Sequence, residues 1–178
     1  MKRFWTLLAA FLLAAGIFAP AALAESYADY DTNYTTESFD TEVVLTEDNT
    51  YRVTERIDVD FLRKSHGIYR YIPYVGSLEY MENGEVKTRR YRASIENISV
   101  EGMNYSVSSE DGNILLKIGD EDILISGKQG YVIHYDIRMK EDGIPGCDII
   151  GVNVLPHGWR TDIDQASFSV TLPKPVPE

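Results

Sequence analysis

The sequence predicts an all-β fold, an antiparallel β-sandwich of about nine strands. From Ser38 onward nearly every patterned segment alternates apolar and polar residues, the period-two signature of a half-buried strand. Turn signals built from Gly, Pro, Asn and Asp separate these segments at fairly regular intervals. No segment beyond the first 24 residues carries a convincing helical repeat. The 12 Tyr, against 6 Phe and 2 Trp, point the same way, because Tyr favours strands and half-wet surfaces. With 178 residues, 44% of them hydrophobic, the chain has room for one domain with its own core.

Residues 1–24 read as a secretory signal: Lys2 and Arg3, an apolar run from Phe4 to Phe18, and Ala22-Leu23-Ala24 before the cleavage point. Residues 25–37 are polar and aperiodic, a flexible linker. The domain then runs over 38–173. Phe39, Thr41, Val43 and Leu45 share one face of a first strand. Glu47-Asp48-Asn49 turns the chain into a second, with Tyr51, Val53, Ile57, Val59 and Phe61 on one face and Arg52, Thr54, Arg56, Asp58 and Asp60 on the other. Ile68 to Ile72 is a third strand, stopped by Pro73. Residues Gly76 to Gly84 read as loop, and Val86 to Val100 as one or two weaker strands. Asp111-Gly112 tolerates the positive φ of a tight hairpin turn between Tyr105-containing and Ile114-containing strands. Gly127 to Gly130 reads as an interruption before a long strand from Tyr131 to Met139. Strands at Ile149–Leu155 and Ala166–Leu172 follow, and residues 174–178 form an extended tail.

Charge narrows the partners. The formal net charge of −11 becomes −13 once the signal, with Lys2 and Arg3 and no acid, is removed. Such a surface repels nucleic acid and anionic headgroups at long range. Cys147 is alone, so no intramolecular disulfide framework exists, and its Gly- and Pro-rich surroundings suggest an incidental thiol.

Glu55 falls on the apolar face of the second strand, and Arg70 alternates in step with Ile68 and Ile72. If both strands keep their pleat, a carboxylate and a guanidinium enter one core. An unpaired charge there would cost several kcal/mol, so a buried Glu55–Arg70 ion pair is expected, the alternative being a bulge that turns Glu55 to solvent. His66 lies near Asp58 and Asp60, but Ser65 is adjacent in sequence and poorly placed as a nucleophile. His66-Gly67 reads more simply as a turn. His134 sits on a polar face, His157 in a loop, and the three His lack zinc spacing. No catalytic residue, metal site or cofactor is expected. If the domain binds something, His66, Tyr69, Tyr71 and Trp159 are the candidate residues.

The ordered set Val53-Thr54-Glu55, Asp60-Phe61, His66-Gly67-Ile68-Tyr69-Arg70 with Ile72-Pro73, then Gly127 to Tyr135, Asn153, Gly158-Trp159 and Leu172-Pro173 resembles the N-terminal domain of the bacterial predicted membrane proteins of domain-of-unknown-function family 2207. The match spans Phe39 to Pro173. The resemblance implies a signal peptide, an extracytoplasmic β-sandwich that continues with more strands, and a membrane segment beyond residue 178. It carries no catalytic residues. This chain departs from the family pattern at Val152, where an aromatic is expected before the Asn. Together these features predict an exported binding or assembly module of a membrane-anchored envelope protein, with an envelope or surface partner. The rivals are a hydrolase using His66 with a carboxylate, and a structural spacer.

Overall fold

The computed structural model describes residues 33–82, 84–140, 150–156 and 158–175. The predicted signal, Cys147, His157 and the end of the tail lie outside them. The described residues form ten strands and no helix: β1 Tyr34–Leu45, β2 Thr50–Ser65, β3 Gly67–Pro73, β4 Val75–Glu82, β5 Glu85–Arg92, β6 Ser94–Val100, β7 Tyr105–Glu110, β8 Asn113–Gly119, β9 Ile125–Arg138 and β10 Ile163–Thr171. Three sheets result, in the orders β10-β1-β2-β9-β6, β3-β8-β7 and β4-β5. The all-β prediction holds, and the two larger sheets enclose one core, consistent with a sandwich.

The second strand is the centre of the five-stranded sheet because its alternation is the longest in the chain. Its odd-numbered residues from Tyr51 to Phe61 are all buried. They meet Phe39 and Val43 of β1, Tyr131, Ile133 and Tyr135 of β9, and Ile68, Ile72, Leu116 and Ile118 of the three-stranded sheet. Each apolar side chain among them contributes about 1.5–3 kcal/mol by leaving water.

Several elements differ from the sequence expectation. β1 starts at Tyr34, inside the segment read as linker. The segment Gly76–Gly84, read as loop, holds most of β4, which pairs with β5. Its pattern misleads because the ribbon is largely exposed, so neither strand shows a deep apolar face. Asn83-Gly84 was the available hairpin signal. Gly127 to Gly130 do not interrupt a strand but pair with β2 as part of β9. Residues 150–156 are not a strand. The last strand is parallel to β1 rather than antiparallel. Phe168, opposite Thr41 in that register, shares the core-side face yet stays 65% exposed at the sheet edge.

Two turns follow their sequence chemistry. Asp111 and Gly112 have φ of 45° and 79°, the pair of positive values a two-residue hairpin turn requires. At the base of the three-stranded sheet Gly67 (φ 140°) lies opposite Gly119, and a Cβ on Gly67 would sit 1.8 Å from the Ile118 carbonyl oxygen. Gly67 therefore admits β8 at contact distance, and the chain bends at His66 between β2 and β3, as the turn reading expects. Gly67→Ala should destabilise the domain by about 2 kcal/mol or more, read as a lower denaturation midpoint at unchanged slope. A midpoint equal to wild type would show that the strands separate freely here.

Candidate functional site: an aromatic cleft over a buried ion pair

The two sheets are bridged by charge. Glu55, at the middle of β2, is fully buried, and Arg70 of β3 is 2% exposed. Arg70 Nε donates to Glu55 Oε2 at 2.7 Å and Nη2 to Oε1 at 2.5 Å, the two-pronged geometry that a guanidinium offers a carboxylate. Tyr135 of β9 donates its hydroxyl to Glu55 Oε1 at 2.7 Å. Arg70 Nη1 donates to the Tyr71 carbonyl, and the guanidinium lies 5.9 Å from the centre of the Phe39 ring. Both strands keep their pleat through these residues, so Glu55 stays inward. Burial opposes the charge on Arg70, but attraction and hydrogen bonding to Glu55 outweigh it and hold its pKa above the ordinary value. Tyr135 is pushed well up, first by burial and then by the neighbouring Glu55 carboxylate.

One side of this pair opens into a cleft of about 140 Å³ between β3 and the segment around Trp159. Tyr69 and Tyr71 of β3 and Trp159, far along the chain, line it together with Arg160, Asn33 and Arg70. Residues 150–156 and 158–161 are fastened along β1. Thr41 Oγ1 donates to the Val154 carbonyl at 2.7 Å. Trp159 Nε1 donates to Thr36 Oγ1 at 2.9 Å, and the Trp159 ring meets Phe39 and Tyr34 edge-on at 5.5 and 6.3 Å. Trp159 is thus an anchored wall of the cleft and not a free platform. Val152, in the place of the expected aromatic, packs against the core.

His66 is not among the residues lining the cleft. Its Nδ1 lies 3.1 Å from the Asp120 backbone carbonyl, and Asp58 instead accepts from Ser38. Among the described residues no group of three or more His, Cys, Asp or Glu could hold a metal. One constellation escaped the sequence analysis. On the outer face of the five-stranded sheet, Thr54 Oγ1 lies 3.0 Å from His134 Nδ1, and His134 Nε2 lies 2.8 Å from Glu101 Oε1. The order hydroxyl–imidazole–carboxylate matches a catalytic triad in composition, but it stands on the solvent side of the sheet, away from the cleft. Only the β2–β9 register, pairing Thr54 with His134, reveals it.

Residues 35–177 match the family model described as the N-terminal domain of the predicted membrane protein DUF2207. No curated protein matches the chain. Among solved structures, native leukotriene A4 hydrolase from Saccharomyces cerevisiae is similar at 10% identity and a TM-score of 0.37, over 58% of this chain and 15% of that one. An M1 zinc metallopeptidase variant from Deinococcus radiodurans, bound to a Tyr-Ser-Ala substrate, is similar at 10% identity and a TM-score of 0.42, over 80% of this chain and 33% of that one. A protease-like protein from Parabacteroides distasonis gives 8% identity and a TM-score of 0.29, over 66% and 25%. The chain therefore spans a third or less of each of these proteins. No helix among the described residues is long and apolar enough to cross a membrane.

Breaking the pair should cost more than replacing it. Glu55→Leu or Arg70→Met each strands a buried polar partner and should destabilise by about 3–5 kcal/mol. The combined Glu55→Leu, Arg70→Met change should cost less than either single one, and strictly additive losses in denaturant melts would show the groups uncoupled.

The buried phenols set an alkaline limit. Burial pushes Tyr131 up to about 12, whereas an unfolded tyrosine titrates near ~10. Below pH ~10 both states hold the proton and the contribution is complete. Between about 10 and 12 the unfolded chain loses it first, so stability falls with rising pH, by up to about 1.4 kcal/mol per unit for each such group. The Tyr131 hydroxyl is buried and has no hydrogen-bond partner among the described residues. Tyr131→Phe should therefore keep neutral-pH stability while flattening the alkaline loss; an unchanged slope would contradict the assignment.

Proposed function

From the premise that the chain belongs to the DUF2207 family of predicted membrane proteins, as part of its N-terminal domain, we propose an exported binding module of the cell envelope. In this reading the module faces the outside of the cytoplasmic membrane and is held there by a membrane segment beyond residue 178. Its partner is an envelope or surface component. The charged start, apolar run and small-residue site of residues 1–24 support export.

The observation that carries the binding role is the convergence of Tyr69, Tyr71 and Trp159 on one cleft. Aromatic walls supply large contact area at little entropic cost. The walls are held in place, because Trp159 is bonded to β1 and β3 is pinned by Arg70 to the centre of the opposite sheet. A rigid frame with aromatic and polar groups at one opening suits recognition. Hydrolysis is the weaker reading, since His66 does not line the cleft and its ring has no carboxylate hydrogen-bond partner among the described residues.

In cells the mature chain should begin at Glu25. A photo-crosslinking side chain placed at Tyr69 should give a discrete adduct that excess wild-type domain suppresses. The same side chain at Tyr105, exposed on β7, should give none. Equal labelling from both positions, or no adduct from either, would refute the cleft as the binding site.

A further inference from the structure

The cleft runs along a strand edge that is unpaired among the described residues. β3 is an outer strand of its sheet and pairs with β8 on one side. Asp120 N–H donates to the His66 carbonyl, and Tyr74 N–H to the Gly112 carbonyl. In the continuous register Ile68↔Ile118, Arg70↔Leu116, Ile72↔Ile114, the even-numbered peptide groups therefore face β8. Those of Gly67, Tyr69 and Tyr71 face away, because the two sides of an antiparallel strand alternate. The Gly67 carbonyl accepts from Ser65 Oγ, and the Tyr71 carbonyl from Arg70. That leaves the N–H and C=O of Tyr69 and the N–H of Tyr71 without a partner among the described residues. Five consecutive residues, 67 to 71, line the cleft, as expected where an edge and not a face borders the opening.

The lining also inverts the charge of the chain. The sequence has 28 acids against 17 Lys and Arg, yet among the described residues the cleft is lined by two Arg and by no Asp or Glu. Arg70 is neutralised by Glu55. Arg160 is exposed on the opposite wall and has no carboxylate partner among the described residues.

We propose that β3 accepts an extended peptide segment of a partner protein by strand addition, with an acidic side chain of that segment held by Arg160. The proposal rests on the cleft being the binding site and specifies what enters it. Main-chain groups presented by every second residue recur at about 6.8 Å, a spacing that another β-strand matches group for group. Edge hydrogen bonds provide the affinity. Arg160 selects the charge, and Tyr69, Tyr71 and Trp159 border the incoming side chains.

The test uses the whole exported chain and two fluorescein-labelled hexapeptides, one alternating valine with glutamate and the other valine with lysine. The glutamate peptide should bind, with the lysine peptide weaker by about tenfold or more. Arg160→Glu should reverse that preference, and because the residue is exposed the fold should survive it. Amide exchange at Tyr69 and Tyr71 should slow in the complex. Absence of binding at about 1 mM peptide, an unchanged preference in Arg160→Glu, or unprotected Tyr69 and Tyr71 amides would each overturn strand addition. If such a failure coincides with specific adducts from Tyr69 in cells, the binding module stands and its ligand is not a strand.

Discussion

The fold turns on one carboxylate. Glu55 sits at the middle of the central strand, with a neighbouring strand on either side and a second sheet above. Water cannot solvate it there, so the structure has to. Arg70 reaches across from the opposite sheet with two parallel hydrogen bonds, and Tyr135 supplies a third. Hydrophobic burial can hold two sheets together in many registers. A two-pronged ion pair with a third donor tolerates few, because a slip of one residue would turn Glu55 outward and leave Arg70 alone in the core.

That constraint reaches the surface. Because Arg70 is drawn into the core, its neighbours Tyr69 and Tyr71 project the other way, and the edge of β3 is held beside the segment that carries Trp159. The third guanidinium nitrogen is spent on the Tyr71 carbonyl. The cleft is in this sense a by-product of the pair: the same residue that locks the sheets also fixes the strand edge that borders the opening. The charge pattern fits that division. Acids cover a surface that must stay soluble, whereas the lining of the cleft has none among the described residues.

The legible parts were those with a strong local period. β2 and β9 place their buried residues on the faces their alternation gives, and the turn at Asp111-Gly112 follows from residue chemistry. Geometry at Glu55 and Arg70 follows from two strand faces read separately and then combined. β4 and β5 were harder to see because Gly76, Leu78 and Tyr80 on one face of β4 are only half-buried and β5 is mostly exposed, so the apolar face is shallow. Gly127 to Gly130 misled for the opposite reason: glycines signal turns, but here they lie in a strand paired to β2. Of the four residues singled out for binding, three line one cleft. His66 is next to the cleft in sequence but bonds elsewhere, and Arg160 carried no pattern that would have marked it.

Sequence alone determined which side chains face inward, because a strand's alternation is a property of consecutive residues. It thereby determined that a carboxylate and a guanidinium would enter the interior, and that burial would drive them together. Only the tertiary structure decided that β10 runs parallel to β1, that β3 keeps an edge unpaired among the described residues, and that Trp159 and Arg160 close a cleft beside it. Strand order and register depend on contacts between residues more than a hundred positions apart, such as Trp159 with Thr36, and no local period encodes those.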